Sequence, residues 1–199
     1  MNSDDARGRI VVAAVDCVRR FGVDKTGIDD VARAASITRP TVYKYFDSRN
    51  DLFIAVFLFV LDERMDRGME TFLADARSTE AFRDGLARAT GWVLEVLRRD
   101  EVIQAILNSR RIPAEDLLAE SAGLLVRSLE LTLVRVAGWM GETEAPIDLR
   151  PLSLEALCGW IIRVLYAHLV WPGPSPEAEI ETFRDFLGPV IFRDGPTDP

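Results

Sequence analysis

Few of the side chains needed for metal binding or nucleophilic catalysis occur in this sequence of 199 residues. It contains one histidine, His168, and two cysteines, Cys17 and Cys158, which lie far apart in the chain. A single histidine makes a histidine-based metal cluster or a Ser-His-Asp triad hard to assemble. The glycines are isolated, with no Gly-x-Gly pair to indicate a phosphate-binding loop. We therefore expect no enzyme activity, no metal and no cofactor.

Long apolar runs and export signals are also absent. The longest apolar run, Leu52–Leu61, is too short to span a bilayer, and residues 1–9 are polar and acidic, unlike a signal peptide. Without export, the two cysteines are better explained as small buried side chains than as a redox switch. We expect a cytoplasmic protein with no membrane partner.

The net charge of −8 is distributed unevenly along the chain. Residues 1–50 contain nine Lys and Arg against seven Asp and Glu, whereas the remainder is strongly acidic. An acidic protein does not coat nucleic acid indiscriminately. A locally basic module on an acidic body can nevertheless bind DNA through one face.

No segment has the two-residue period of a strand, and no internal repeat occurs. Helical spacing of apolar residues, together with helix-ending Gly and Pro, predicts an all-α fold of about nine helices. The predicted helices span residues 9–21, 28–35, 36–46, 49–76, 78–99, 101–109, 113–140, 152–171 and 175–192.

The stretch Ser36–Phe46 predicts a short helix with an apolar back and a polar front. Thr38 is suited to cap its N-terminus, and Val42 and Phe46, four residues apart, share the inward face. The outward face consists of Arg39, Pro40, Thr41, Tyr43 and Lys44. Such a front suits the major groove of DNA, although alone it is equally compatible with a solvated helix.

The preceding segment strengthens the DNA interpretation. Residues 28–35 form a second amphipathic helix, with Asp29 and Asp30 in the first turn, where the helix dipole favours acids. The break at Ser36 and Ile37 leaves a turn of about three to four residues. Two short helices joined in this way are typical of a helix-turn-helix.

Residues 9–57 resemble the DNA-binding domain of TetR-type (TetR/AcrR) transcriptional regulators. The matching residues are Ala13-Ala14, Phe21-Gly22, Ile28–Ala35, Thr38–Phe46 and Ser48–Leu52. Two residues depart from the family pattern. Gly27 stands where the family commonly has Ser or Thr at the start of the second helix, and Ser36 stands where it commonly has Gly, so Ser36 must tolerate the turn conformation.

The resemblance implies an N-terminal three-helix head, residues 1–48 with the motif at about 27–46, on a larger helical body. The body, residues 49–192, would bind an effector and dimerise, and residues 193–199 would be a disordered tail. Thr38 would cap the recognition helix. The side chains expected to meet base edges or adjacent backbone are Arg39, Pro40, Tyr43 and Lys44. Thr41 and Arg49 would hold phosphates.

The helix at 152–171 is apolar on more than one face, so it is buried from more than one side. It is either the central helix of a monomer or a helix with one face against a partner subunit. The resemblance favours a homodimer formed by the last two long helices. The candidate interface residues are Trp160, Val164, Ala167, Trp171, Phe183 and Phe186.

A ligand pocket is less clear, because aromatic residues at helical spacing more often belong to a plain core than to the walls of a pocket, although the resemblance implies an effector cavity in the body. The candidate ligand-binding residues are Phe57, Trp92, Trp139 and Arg163. Arg163 could neutralise an acidic ligand, or it could pair with Glu155 or Glu181. The resemblance implies a repressor released from a palindromic DNA operator by an effector, and the aromatic and aliphatic bias of the body suggests a small apolar or amphipathic molecule. The alternative is a helical small-molecule carrier or sensor whose head contacts protein.

Overall fold

The computed structural model describes residues 3–73, 78–121, 123, 126 and 154–191, and all regular structure in these ranges is α-helical. The predicted all-α fold is confirmed. The helices are α1 Ser3–Phe21, α2 Ile28–Ala34, α3 Arg39–Val42, α4 Arg49–Leu73, α5 Thr79–Arg99, α6 Glu101–Leu107, α7 114–121, α8 Leu154–Val170 and α9 Pro176–Ile191. Trp139, most of the predicted helix 113–140 and the tail 193–199 lie outside the described residues.

The chain divides into two compact units. The first contains Met1–Leu61 and Arg98–Glu120, and the second contains Asp62–Leu97 and Ser121–Pro199. The helix-turn-helix therefore shares its unit with α6, which packs against α1 and which the sequence assigned to the body. The functional division at residue 48 stays a prediction.

Helix α1 begins at Ser3, six residues before the predicted start. Although residues 3–9 are mostly polar, one face of this first part of the helix is buried, as Ala6 and Ile10 show. The guanidinium of Arg7 lies 4.7 Å from the centre of the Phe46 ring, in a cation–π arrangement. At its other end α1 stops at Gly22, whose φ of +76° suits glycine.

Apolar side chains from several helices form the core of the first unit. Val31, Val42, Phe46, Leu52 and Phe53 are all buried, which confirms the predicted inward face of the recognition segment. Cys17 is also buried, as expected, and this burial raises the pKa of its thiol. The core thus fixes α2, α3 and the start of α4 to one another.

In the second unit α4 and α5 approach closely at a glycine. A Cβ atom added to Gly85 would lie 2.5 Å from the carbonyl oxygen of Phe72. A side chain of any size at this position would therefore push the two helices apart. Nothing in the periodicity of the sequence marks Gly85 as a contact point.

Candidate nucleic-acid interface

The recognition helix α3 is a single regular turn with a tight extension. Regular helix ends at Val42, not at Phe46 as predicted. The amides of Lys44 and Tyr45 then donate to the carbonyls three residues earlier, at 3.2 and 3.0 Å. Such bonds tighten the last turn of a short helix. The segment still ends with Phe46 bonded to the Val42 carbonyl at 3.1 Å, so its buried face is as predicted.

Thr38 occupies the predicted N-cap position, but its side chain does not cap. Its backbone is extended, and its carbonyl accepts from the amides of Thr41 and Val42 at 2.9 and 3.2 Å. The predicted side-chain cap is wrong, because the Thr38 hydroxyl is bonded to the Thr41 hydroxyl at 2.8 Å instead. This places two linked hydroxyl groups at the N-terminus of α3.

Arg39 links the front of α3 to α2. Its Nη1 donates to Oδ2 of Asp29 at 2.9 Å, and its Nη2 lies 3.5 Å from the Tyr43 hydroxyl. The Tyr43 hydroxyl and the Asp29 carboxylate both raise the pKa of Arg39. Both partners of the ion pair are more than half exposed, so the pair adds little to stability. Arg39 is thus positioned at the surface yet can exchange Asp29 for another acceptor.

The remaining residues of the predicted front also reach the surface. Pro40, Tyr43 and Lys44 are exposed, and Thr41 is half-buried beside Thr38. The structure therefore gathers a guanidinium, a phenol, an ammonium and a rigid ring on one short face. The assignment of these groups to bases or phosphates stays a prediction.

Ser36 has the turn conformation that the sequence requires of it. Its φ is +56°, in the left-handed region that residues other than glycine seldom adopt. Its amide donates to the Arg33 carbonyl at 3.1 Å, and the Ile37 amide donates to the Ala32 carbonyl at 2.9 Å. These two bonds form a Schellman motif that ends α2. The turn between the two helices is therefore fixed by backbone bonds, with some strain at Ser36.

Helix α2 starts without a hydroxyl cap. Gly27 has an extended backbone at the N-cap, and its amide donates to Oδ2 of Asp30 at 3.0 Å. Asp30 therefore closes the first turn from inside the helix. The replacement of a family Ser or Thr by glycine leaves no side-chain oxygen here for a phosphate contact.

Arg49 has a structural role that the sequence did not indicate. Its Nε donates to the Thr26 carbonyl at 3.2 Å, and its Nη2 donates to the Val23 carbonyl. The guanidinium also lies 4.5 Å from the centre of the Phe53 ring. Burial lowers the pKa of Arg49, with a contribution from the charge of Arg111. The phosphate contact of Arg49 stays a prediction. The structure shows instead that Arg49 bonds the start of α4 to the α1–α2 loop, residues 22–27.

Sequence reasoning missed two contacts of the turn after α6, one with this loop and one with the start of α4. The Ser109 hydroxyl donates to Oδ1 of Asp24 at 2.9 Å, and Nδ2 of Asn50 donates to the Arg111 carbonyl at 2.9 Å. The partners are 85 and 61 positions apart. No local spacing signal could have found pairs so distant in the chain.

The candidate ligand-binding residues do not form one described site. Phe57 is buried in the first unit. Trp92, in the second unit, is half-buried with its ring centre 6.3 Å from that of Phe72. Arg163 is exposed on α8, where its Nη1 donates to the Gly159 carbonyl at 2.6 Å. Their ligand roles stay predictions.

The candidate dimer residues fall into two groups. Trp160, Ala167, Trp171 and Phe186 are exposed, with Trp171 85% and Phe186 67% exposed, and Val164 is half-buried. Phe183 is instead buried, with its ring centre 4.9 Å from that of His168. Its assignment to the interface is wrong, because the α8–α9 pair already covers it within one protomer.

The described residues contain neither a membrane-spanning helix nor a cluster of metal-binding side chains. In that part of the chain, no helix is both long and apolar enough to span a bilayer. The same residues contain no group of three or more His, Cys, Asp or Glu side chains arranged to hold a metal ion.

Comparison with known proteins identifies the head. Residues 10–56 match the model of the family described as bacterial regulatory proteins, tetR family. The head of this protein is therefore that of the TetR family. The match covers α2, α3, most of α1 and the start of α4, which together place the exposed front of α3. This TetR-family protein is accordingly a DNA-binding transcriptional regulator.

Relatives and solved structures extend the similarity over the whole chain. The uncharacterized HTH-type transcriptional regulator MT1294 of Mycobacterium tuberculosis (strain CDC 1551 / Oshkosh) is 28% identical over 186 residues, covering 94% of this chain and 85% of that protein. The TetR family repressor AlkX from Dietzia sp. strain DQ12-45-1b, implicated in biodegradation of n-alkanes, superposes with a TM-score of 0.67 at 18% identity, covering 92% and 93% of the two chains. FadR from Bacillus subtilis, in complex with stearoyl-CoA, gives a TM-score of 0.52 at 17% identity, covering 92% and 98%. The two structures share the fold of the TetR-family protein.

Proposed function

We propose that this TetR-family protein is a homodimeric repressor that binds a palindromic operator and is released by a small apolar or amphipathic effector. The observation that carries the DNA-reading part is the exposed front of α3 on a fully buried back. Arg39, Tyr43 and Lys44 project from one face, while Val42 and Phe46 fix the opposite face in the core. A helix anchored in this way can enter a major groove with its side chains already in place.

The exposed apolar side chains of α8 and α9 support the dimer. Trp171 and Phe186 leave most of their ring surface uncovered in one protomer. Exposed apolar groups of this size are characteristic of surfaces that bind a partner. A two-fold dimer would present two α3 helices to half-sites related by the same symmetry, so its operator would be a palindrome.

Two comparisons support the nature of the effector. The structure of FadR of Bacillus subtilis contains bound stearoyl-CoA, which is amphipathic. AlkX is implicated in the biodegradation of n-alkanes, which are apolar. The described part of the second unit contains an aromatic pair, Phe72 and Trp92, on facing helices α4 and α5. We assign the effector to this unit and suggest long-chain acyl-CoA and n-alkanes as the first probes.

Selection from a pool of random duplexes tests the DNA-reading part. The wild-type protein should enrich a palindrome, and Lys44→Ala should enrich it less strongly or not at all. Lys25→Ala, which removes an exposed cation from the α1–α2 loop of the same unit, is the matched control and should enrich the same sequence. Failure of the wild-type protein to enrich any sequence would refute the proposed function.

Linkage tests the release of the operator. A ligand that lowers operator affinity must itself bind more weakly when operator is present, by the same factor. For a coupling in the usual range, the dissociation constant of the bound probe should rise about 5- to 150-fold on addition of operator. A probe that binds the second unit equally well with and without operator is not an effector of this repressor.

A further inference from the structure

The α1–α2 loop, residues 22–27, is held from two sides. From α4, Arg49 donates to the carbonyls of Val23 and Thr26. From the turn that follows α6, the Ser109 hydroxyl donates to the carboxylate of Asp24 at 2.9 Å. The loop is thus fixed both by the head and by a segment that lies 85 positions further along the chain.

The turn after α6, residues 108–112, is itself well ordered by its contacts. Ser109 is only 9% exposed, and its hydroxyl oxygen accepts from the Arg111 amide at 3.2 Å. Because a carboxylate can only accept, the proton of the Ser109 hydroxyl is directed to Asp24. Ile112 is buried, and the Arg111 carbonyl accepts from Asn50 in the first turn of α4 at 2.9 Å. The turn therefore contacts both the α1–α2 loop and the start of α4.

These two contact points flank the DNA-reading elements. The loop leads directly into Gly27, the first residue of the α2 cap, and Asn50 follows the recognition segment at the start of α4. A displacement of either helix start would displace α3, which lies between them in the chain. Hydrogen bonds to bases tolerate only a few tenths of an ångström, and a site held in its bound geometry loses less entropy on binding.

From these contacts we propose that the turn after α6 is part of the DNA-reading head, and that Ser109 is a positioning residue for operator binding through Asp24. Ser109 does not touch DNA in this scheme. It holds the α1–α2 loop so that α2 and α3 are in place before the operator arrives. The inference rests on the proposed function, because it requires that the head reads DNA.

A double-mutant cycle on operator affinity tests the link. The variants are Asp24→Ala, Ser109→Ala and the pair, measured against the selected operator at one salt concentration. Ser109→Ala should weaken operator binding about three- to tenfold, the usual range for one lost hydrogen bond. Asp24→Ala also removes a negative charge, but this effect is the same in both backgrounds and cancels in the cycle. The pair should therefore be weakened less than the product of the two single effects.

Two further variants separate positioning from a general loss of structure. Ser109→Thr keeps the hydroxyl and should retain most of the operator affinity. Thr71→Ala removes a bond to the Arg67 carbonyl in α4, away from both the loop and the turn, so operator affinity should be unchanged. The dependence of affinity on salt should stay the same in Ser109→Ala, because no phosphate contact is removed.

The result that supports the proposal is coupling between Asp24 and Ser109 in operator affinity, in protein that is folded and dimeric by sedimentation. Independent effects of the two changes would overturn it, as would a lower salt slope in Ser109→Ala, which would indicate a direct DNA contact. If the wild-type protein selects no operator, the proposed function fails first and this inference fails with it. If the protein selects an operator but Asp24 and Ser109 show no coupling in operator affinity, only this inference fails and the proposed function stands.

Discussion

The Arg39 guanidinium is bonded to the Asp29 carboxylate at 2.9 Å, across the turn that joins α2 to α3. This bond holds the side chain that we propose to read DNA in one position before DNA is present. Because the pair is exposed and weak, the same guanidinium can leave Asp29 for the acceptors of a guanine. The relationship makes Arg39 the first choice for sequence readout.

Arg39→Ala should weaken operator binding about 5- to 150-fold and relax the preference at one position in each half-site. Asp29→Asn is the matched variant, because it removes the charge partner of Arg39 but keeps an amide oxygen as acceptor. It should leave the selected sequence unchanged. Competition assays with every single-base variant of the operator provide the measurement, and identical preferences in wild type and Arg39→Ala would remove Arg39 from the reading role.

Arg49→Ala should affect both stability and DNA binding. Loss of its bonds to the Val23 and Thr26 carbonyls should lower the free energy of unfolding by about 1–3 kcal/mol. If Arg49 also holds a phosphate, all duplexes should bind more weakly and the salt slope should fall by about one unit. Urea unfolding and salt titrations measure the two effects separately. A destabilised protein with an unchanged salt slope would leave Arg49 with its structural role alone.

Ser36→Gly should stabilise the head, because Ser36 has a φ of +56° that glycine adopts without a Cβ penalty. The expected gain in the free energy of unfolding is about 1 kcal/mol. Ser36→Val should have the opposite effect, since a branched side chain is poorly tolerated in this conformation. The midpoints of urea unfolding decide the matter, and an unstable Ser36→Gly variant would show that the serine side chain has a contact of its own.

Trp171→Arg should convert the dimer to monomers without unfolding the protomer. The Trp171 side chain is 85% exposed in one protomer, so an arginine there is hydrated until a partner covers it. In a dimer it would be a buried, unpaired charge. Phe59→Arg, a change at an exposed aromatic in the first unit, is the control and should remain dimeric. Sedimentation at micromolar concentration gives the answer, and a wild-type monomer would contradict the assembly altogether.

Gly85→Ala should destabilise the second unit by about 1–3 kcal/mol, because the new Cβ would lie 2.5 Å from the Phe72 carbonyl oxygen. Gly8→Ala is the matched change, since a Cβ at Gly8 in α1 meets nothing within 4 Å. That variant should be more stable by roughly 0.5–1 kcal/mol, as expected for alanine in a helix. Thermal unfolding of both variants measures the two changes in stability. Equal changes in Gly85→Ala and Gly8→Ala would contradict the close approach of α4 and α5.

Local spacing was sufficient to predict which side of α3 is buried and which is exposed. Thr38 at the cap, with Val42 and Phe46 four residues apart, placed the back of α3 correctly, and the family departure at Ser36 pointed to a turn conformation that serine must tolerate. These are properties of residues close together in the chain, where one helix repeat determines which side chains share a face.

Contacts between distant segments could not be predicted in the same way. Ser109 and Asp24 have no pattern that relates them, and Arg49 was predicted only to hold a phosphate, with no signal for its carbonyl partners. Phe183 shows the same limit in the core, because an apolar residue on an amphipathic helix is compatible with a partner subunit or with the helix next to it. The helical start of α1 was missed for a similar reason, since Phe46, whose ring contacts Arg7, lies far along the chain.

The spacing between half-sites tests the central claim most directly. A two-fold dimer that reads DNA with paired α3 helices requires both half-sites on the same side of the duplex, about one helical turn or a multiple apart. Insertion of about five base pairs, roughly half a turn, at the centre of the selected operator should therefore reduce binding to the level of unrelated DNA. Insertion of a full turn of about ten base pairs serves as the control for added length. Unchanged affinity after the half-turn insertion would contradict the claim that this protein reads a palindrome as a rigid two-fold dimer.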